Sequence, residues 1–405
     1  MLKKITIIHL YLLVVLVESL SLSLSLKKKR IHRRTNERDG QTFGHNASSI
    51  ATRYLIVYYF AVLGDWLQGP YIYVILSQYG YESRDVKIFI VTGYVSSLIL
   101  GSFVSAFADS VGKKRMTMVF FLIYALSCAF IHVNHYVFLY ISRILSGIST
   151  SLLYSVFEAW LSATLEGKSK SIKSIFSIAS FGSSILAILA GLLAQVFVNI
   201  HPEMEVLSPT YPIYGFGVVS SFSLSAFFLI CGYVAAGQLW TENITKNDDG
   251  DNDKNKRNTK NIISDSVCLV YRDMSIFLLG VTSAAFEGAM FTWVAVWSQT
   301  LLHFTDDSHE SFGQVFSILM LSCMIGSITF SVVVMLWKFE LQHSLFVVIV
   351  VASIAQWNAS KCSSYDEALV TFVVYEICVG FYWPVCVCVC VPLLLLLQQK
   401  YSINN

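Results

Sequence analysis

Apolar residues in this chain run in blocks too long for one face of a soluble helix. A spanning helix needs about 20 mainly apolar residues. That rule predicts ten spans, over residues 54–76, 86–108, 116–132, 136–161, 172–200, 213–240, 274–302, 312–337, 344–357 and 368–383. The ninth is the shortest. A further apolar segment, residues 5–26, precedes the run KKKRIHRR at 27–34. A basic start and an apolar core resemble a signal peptide, but a small-x-small cleavage site is unconvincing there. The stronger basic cluster follows the segment, and lysine and arginine favour the cytoplasm. Residues 1–26 are therefore read as an uncleaved anchor with its N-terminus outside, and residues 27–50 as a basic cytoplasmic linker.

The polar intervals test that orientation. With 27–34 in the cytoplasm, successive spans also place the basic residues of 113–115, 168–173 and 254–260 there. The opposite loops, near 82–84, 134–135, 203–212 and 306–310, hold few basic residues, as the positive-inside rule requires. Residues 241–265 are rich in Asn, Asp and Lys and read as a disordered linker. The chain thus divides into a six-helix lobe (51–240), a cytoplasmic inter-lobe loop (241–272) and a four-helix partial lobe (273–384). Of three Asn-x-Ser/Thr sequons, Asn46 and Asn243 fall on the cytoplasmic side, and Asn358 on the outer side is the glycosylation candidate.

The end of the chain departs from this plan. After Trp383-Pro384 come VCVCVCV and PLLLLLQQKYSINN, whose apolar part is too short for another span. Alternating Val-Cys is what a repeated GT dinucleotide encodes. The tail 385–405 is therefore expected to be translated intron or splice-variant sequence, with metal binding by Cys386, Cys388 and Cys390 as the weaker alternative.

Composition agrees with the pattern. Of 405 residues, 55% are hydrophobic and 13% charged, where an ordinary soluble domain carries about 25% charged residues. A net charge of +2 gives no reason to expect a nucleic-acid partner. The nine cysteines show no paired zinc spacing and no disulfide framework. No nucleophile–base or metal constellation points to an enzyme or to a cofactor. The expected partners are the bilayer, a small solute and a coupling proton, with the chain acting as a monomer.

Ionisable side chains inside the hydrocarbon carry the chemistry. Each costs roughly 2.5–3.5 kcal/mol to insert, so each is expected to face a cavity or a partner. Asp65, Arg143, Glu287 and Glu376 lie in the first, fourth, seventh and tenth spans. Arg143 and Glu376 are each followed by Ile, and four positions on by Gly147 and Gly380, a weak internal repeat. The guanidinium of Arg143 presents a planar fork of donors suited to a doubly charged oxoanion. A charge pair with Asp65 or Glu376, or a gating contact, remains open as an alternative. Asp65 and Glu287 are the proton carriers if transport is proton-coupled, or else capped or paired helix residues. In GDWLQGPYIY (64–73), Gly69-Pro70 predicts a kinked or unwound helix lining a cavity, with Gln68 and Tyr71 as added donors.

The turn SAFADSVGKKR (105–115) resembles the loop between helices 2 and 3 of the major facilitator superfamily. Asp109 is expected to accept from amides at the start of the next helix. Gly112 permits the turn, and Lys113, Lys114 and Arg115 form a breakable gate with Glu158. The superfamily usually has glycine where this chain has Ser105, and a basic residue where it has Ser110.

Taken with SRILSGISTSLLYSVFEAW (142–160) and CVGFYWP (378–384), these runs look like the molybdate-anion transporter branch of that superfamily, over about residues 51–384. The extra N-terminal segment is similar as well. The resemblance implies a two-lobed helix bundle whose substrate lies at the midplane between spans 1, 4, 7 and 10. It also implies import of molybdate, a tetrahedral dianion, across the plasma membrane by alternating access. Helices 11 and 12 of the superfamily plan are not matched, so the second lobe is expected to be incomplete and this 405-residue form to transport poorly. Charge alone does not choose molybdate over sulfate or phosphate. A proton-coupled carrier of another small solute and a non-transporting, receptor-like or truncated isoform are the alternatives.

Overall fold

The structure, a computed structural model, describes residues 41–165, 169–208, 212–242, 274–305, 311–337 and 340–402. The anchor segment and most of the inter-lobe loop lie outside the described residues, as do the side chains of 41–47, 100–110 and 389–402. In hydrocarbon every backbone group must find a partner within its own segment, which makes the apolar runs helical. Eleven α-helices follow: α1 Gln41–Trp66, α2 Ile72–Gln78, α3 Ser83–Val111, α4 Lys113–Phe130, α5 Tyr136–Thr164, α6 Ser169–Ile200, α7 Ser220–Leu239, α8 Met274–His303, α9 Phe312–Trp337, α10 Leu341–Ala359 and α11 Tyr365–Ser402. Between α6 and α7 stand two strands, β1 Met204–Ser208 and β2 Ile213–Phe216. Among the described residues, seven helices are long and apolar enough to cross a membrane: α5, α6, α7, α8, α9, α10 and α11.

All ten predicted spans contain helix, and three are redrawn. The first is broken at 67–71. The sixth starts at Ser220, not residue 213, because Ile213–Phe216 pairs antiparallel with β1. The tenth does not stop near Trp383. It runs on as one helix to Ser402 with Pro384 and Pro392 inside it.

The break follows from proline chemistry. Pro70 has no N–H and its ring clashes with the preceding turn. Upstream, the bonding tightens: Gln68 N donates to Asp65 O (3.2 Å) and Gly69 N to Trp66 O (3.3 Å). That leaves the Gly64 carbonyl without its usual amide. The Gln68 side chain (3.2 Å) and the Ser225 hydroxyl of α7 donate to it instead.

The described residues form two compact units. The larger holds Ile50–Met320 with Ser363–Leu369, and the smaller holds Leu321–Cys362 with the helix from Val370 onward. In the larger unit, small residues bring α3 and α5 together. A Cβ on Gly147 would stand 2.2 Å from Gly93 O and 2.1 Å from Ser96 Oγ. The Ser96 hydroxyl donates to Ile144 O at 2.9 Å. In the smaller unit, a Cβ on Gly326 would meet Ile377 O at 2.0 Å, and one on Gly380 would meet Cys323 O at 1.7 Å. The pairs Gly93/Gly326, Arg143/Glu376 and Gly147/Gly380 share one sequence offset, so the weak repeat seen in the sequence is a repeat of helix packing.

Candidate functional site

Arg143 sits in the second turn of the buried face of α5, 9% exposed. Its Nη2 donates to the neighbouring Ser142 hydroxyl at 3.2 Å, and its Nε is buried with no hydrogen-bond partner. Around it stand the hydroxyls of Tyr94 on α3 and Tyr124 on α4, and the Cys128 thiol. Among the described residues it makes no ion pair. A buried cation normally has a counter-charge, because removing an ion from water costs several kcal/mol. The charge pair with Asp65 that sequence reasoning left open is not formed here.

Asp65, in the last turn of α1, accepts instead from the Tyr124 hydroxyl at 2.5 Å. Tyr124 thereby links the first and third spans at the level of Arg143. An aromatic residue in an apolar run carries no signal of such a role, which is why Tyr124 was missed. Cys128 is 3.5 Å from Ser225, and Ser225 also accepts from Gln68 Nε2 at 3.1 Å. Gln68 is thus occupied in mending the helix break.

Tyr71 is also committed elsewhere. Its hydroxyl donates to Gln195 Oε1 on α6 (2.8 Å), and the amide of Gly313 at the start of α9 donates to that same oxygen (3.0 Å). Gln195 Nε2 is held by Asn199 Oδ1 at 2.9 Å. The two donors proposed beside Asp65 therefore serve helix ends and a helix break in this structure. Gln195 was missed because a lone glutamine in a long apolar helix reads as a packing residue.

The other two carboxyls differ from each other. Glu287 lies on α8, half-buried, and makes no ion pair among the described residues. Glu376 is 4% exposed in the smaller unit, with the Cys323 thiol against it.

The gate residues take a different partner from the one expected. Gly112 begins α4 at φ 107°. The carboxylate of Glu242 accepts from the amides of Lys114 (3.1 Å) and Arg115 (3.2 Å), and lies 3.9 Å from Arg115 Nε. Lys114 Nζ donates to Gly237 O near the end of α7 at 2.8 Å. An acid at one helix N-terminus and a lysine at another's C-terminus are each favoured by the local dipole. Glu242 thus fills the amide-accepting role expected of Asp109, whose side chain lies outside the described residues. Glu158 is exposed and forms no ion pair among the described residues, so Glu242, rather than Glu158, holds the basic turn. Lys113 shares that turn and is half-buried. Asn358 is exposed in the last turn of α10.

A bundle of apolar helices with buried charges and a broken first span is the build of a membrane transporter. A family profile described as sugar transporters with 12 transmembrane spans matches residues 15–360, and the chain belongs to that family of the major facilitator superfamily. It is similar to proteins named molybdate-anion transporter from Takifugu rubripes (28% identical, covering 82% of this chain and 71% of that protein) and Danio rerio (26%, covering 82% and 70%). The corresponding Xenopus laevis protein is 25% identical, covering 81% and 69%. Among solved structures, the nucleoside transporter NupG matches with a TM-score of 0.62 at 10% identity, covering 82% of this chain and 80% of that one. A peptide transporter of the POT family, in complex with sulfate, matches at 0.59 and 13%, covering 83% and 80%. At those identities the likeness is one of fold.

Proposed function

We propose that this protein imports a tetrahedral oxoanion, molybdate, across the plasma membrane by alternating access, and that Arg143 draws the anion into the bundle. The observation that carries the reading is a guanidinium buried on α5 whose Nε has no partner and which makes no ion pair among the described residues. An ionised oxoanion is the ligand that would complete it, since Arg–oxoanion hydrogen bonds are charge-assisted and often bidentate. The names of the relatives support molybdate as that anion.

A dianion entering a cell with a negative interior works against about 2.3 kcal/mol per charge per 100 mV. Co-transported protons would offset this. Asp65, Glu287 and Glu376 are the groups in the spans able to carry them, Asp65 through its bond to Tyr124. The family's description as sugar transporters favours a second reading, a proton-coupled carrier of a neutral solute.

The test is uptake of labelled molybdate into cells expressing a version of the chain extended to the twelve-span plan of its family. Saturable uptake is expected, reduced at least tenfold by Arg143→Gln and partly retained by Arg143→Lys, which keeps the charge but loses the planar fork. Equal uptake by wild type and Arg143→Gln at matched surface expression would remove the anion site. Uptake of a labelled sugar but not of molybdate would favour the second reading.

A further inference from the structure

The donors around Arg143 differ in what they already do. Tyr124 gives its hydroxyl proton to Asp65, and Cys128 lies against Ser225. Ser142 exchanges hydrogen bonds with Ser127, its hydroxyl donating to Ser127 O at 2.9 Å while Ser127 Oγ donates to Ser142 O at 2.8 Å. The Tyr94 hydroxyl makes no hydrogen bond among the described residues.

The helix packing puts Tyr94 at the right height. A Cβ on its neighbour Gly93 would stand 3.4 Å from the carbonyl of Arg143, so α3 passes α5 at the level of the arginine with no side chain between them. The Tyr94 ring then packs at 5.1 Å from that of Phe291 on α8, which fixes its direction from the other side. Tyr94 is half-buried, so its uncommitted hydroxyl is left accessible to a ligand beside Arg143.

We infer that Tyr94 is a substrate-contacting residue: its hydroxyl donates to the oxoanion held by Arg143, so that the anion is gripped from α3 and α5 at once. This rests on the anion reading of Arg143 and adds to it a neutral donor on a second helix. Recognition by a fixed hydroxyl discriminates more sharply than charge alone, because a ligand that leaves the donor unmatched is penalised. Phe291 makes the grip sensitive to α8, since withdrawing that ring frees the tyrosine to turn.

The experiment reads binding, so it does not depend on turnover. The full 405-residue chain is purified in detergent, and its thermal unfolding is followed with increasing sodium molybdate, against sodium chloride at equal ionic strength. The variants are Tyr94→Phe, Arg143→Gln and, as a control, Tyr136→Phe, whose side chain is exposed at the start of α5.

Wild type and Tyr136→Phe are expected to be stabilised by molybdate over the same concentration range. Tyr94→Phe should unfold at the wild-type temperature without anion and need about tenfold more molybdate for the same shift, the loss expected for one hydrogen bond to a charged ligand. Arg143→Gln should lose the shift. A molybdate titration of Tyr94→Phe that superimposes on wild type, with Arg143→Gln still unresponsive, overturns the role of Tyr94 and leaves the arginine site standing. A lower unfolding temperature of Tyr94→Phe without anion, at unchanged molybdate dependence, assigns the hydroxyl to structure and also overturns the proposal. No shift in wild type, or an unchanged one in Arg143→Gln, brings down both.

Discussion

At Gly112 a single hydrogen atom in place of a side chain decides how α4 begins. Its φ of 107° is a region that L-residues avoid, and a Cβ there would stand 2.5 Å from the Glu242 carboxylate. Gly112→Ala is therefore expected to destabilise the chain by about 1–3 kcal/mol, read as a lower unfolding temperature in detergent. Glu242→Gln keeps the shape and loses the charge at the helix start, and should cost less, about 0.3–1 kcal/mol. The pair of Glu242 with the largely exposed Arg115 adds little to either figure. Sequence reasoning reached Gly112 because glycine in a charged turn has a conformational meaning by itself. It did not reach Glu242, because a glutamate at the edge of a polar linker is indistinguishable from its neighbours until α7 and α4 are brought side by side. The same asymmetry holds for Arg143 and Tyr124: a charge in an apolar run is conspicuous, and a hydroxyl on an aromatic ring is not.

Among the elements, the contacts that set helix spacing are made by glycine and serine against backbone oxygen. Gly326 and Gly380 bring α9 and α11 close enough that added side chains would overlap the facing chain. Gly326→Ala is expected to cost about 1–3 kcal/mol through overpacking. Gly280→Ala on α8, where a Cβ meets nothing within 4 Å, should be neutral or slightly stabilising. Thermal unfolding of the two variants side by side checks the difference. The helices themselves were legible in the sequence because hydrocarbon leaves the backbone one local solution, and the break in the first span because of its Gly69-Pro70 pair. The late start of the sixth span was not legible: Ile213, Tyr214 and Phe216 are as apolar as a helix requires. What makes them a strand is the pairing with Met204–Ser208 and the bond from Tyr214 N to His132 O, neither of which has a local signature.

For the whole molecule, the orientation predicted by the positive-inside pattern can be tested with exposed residues on both sides. Val206 on the β1–β2 hairpin and Arg115 at the start of α4 are both exposed. A cysteine at Val206 should react with an impermeant maleimide in intact cells, and one at Arg115 only after permeabilisation; the reverse result would invert the topology. A last consequence comes from the aromatic stack at the inner end of the first six spans. Trp240 lies 4.0 Å from Trp160 and stacks on Tyr54, and its indole N–H donates to Arg53 O at 3.1 Å. The point where the chain enters this half and the point where it leaves are thus fastened to each other, like the two ends of a clasped bracelet. That fastening is complete by residue 242, so shortening or rewriting the polar interval 243–265 should leave Trp240 stacked on Trp160.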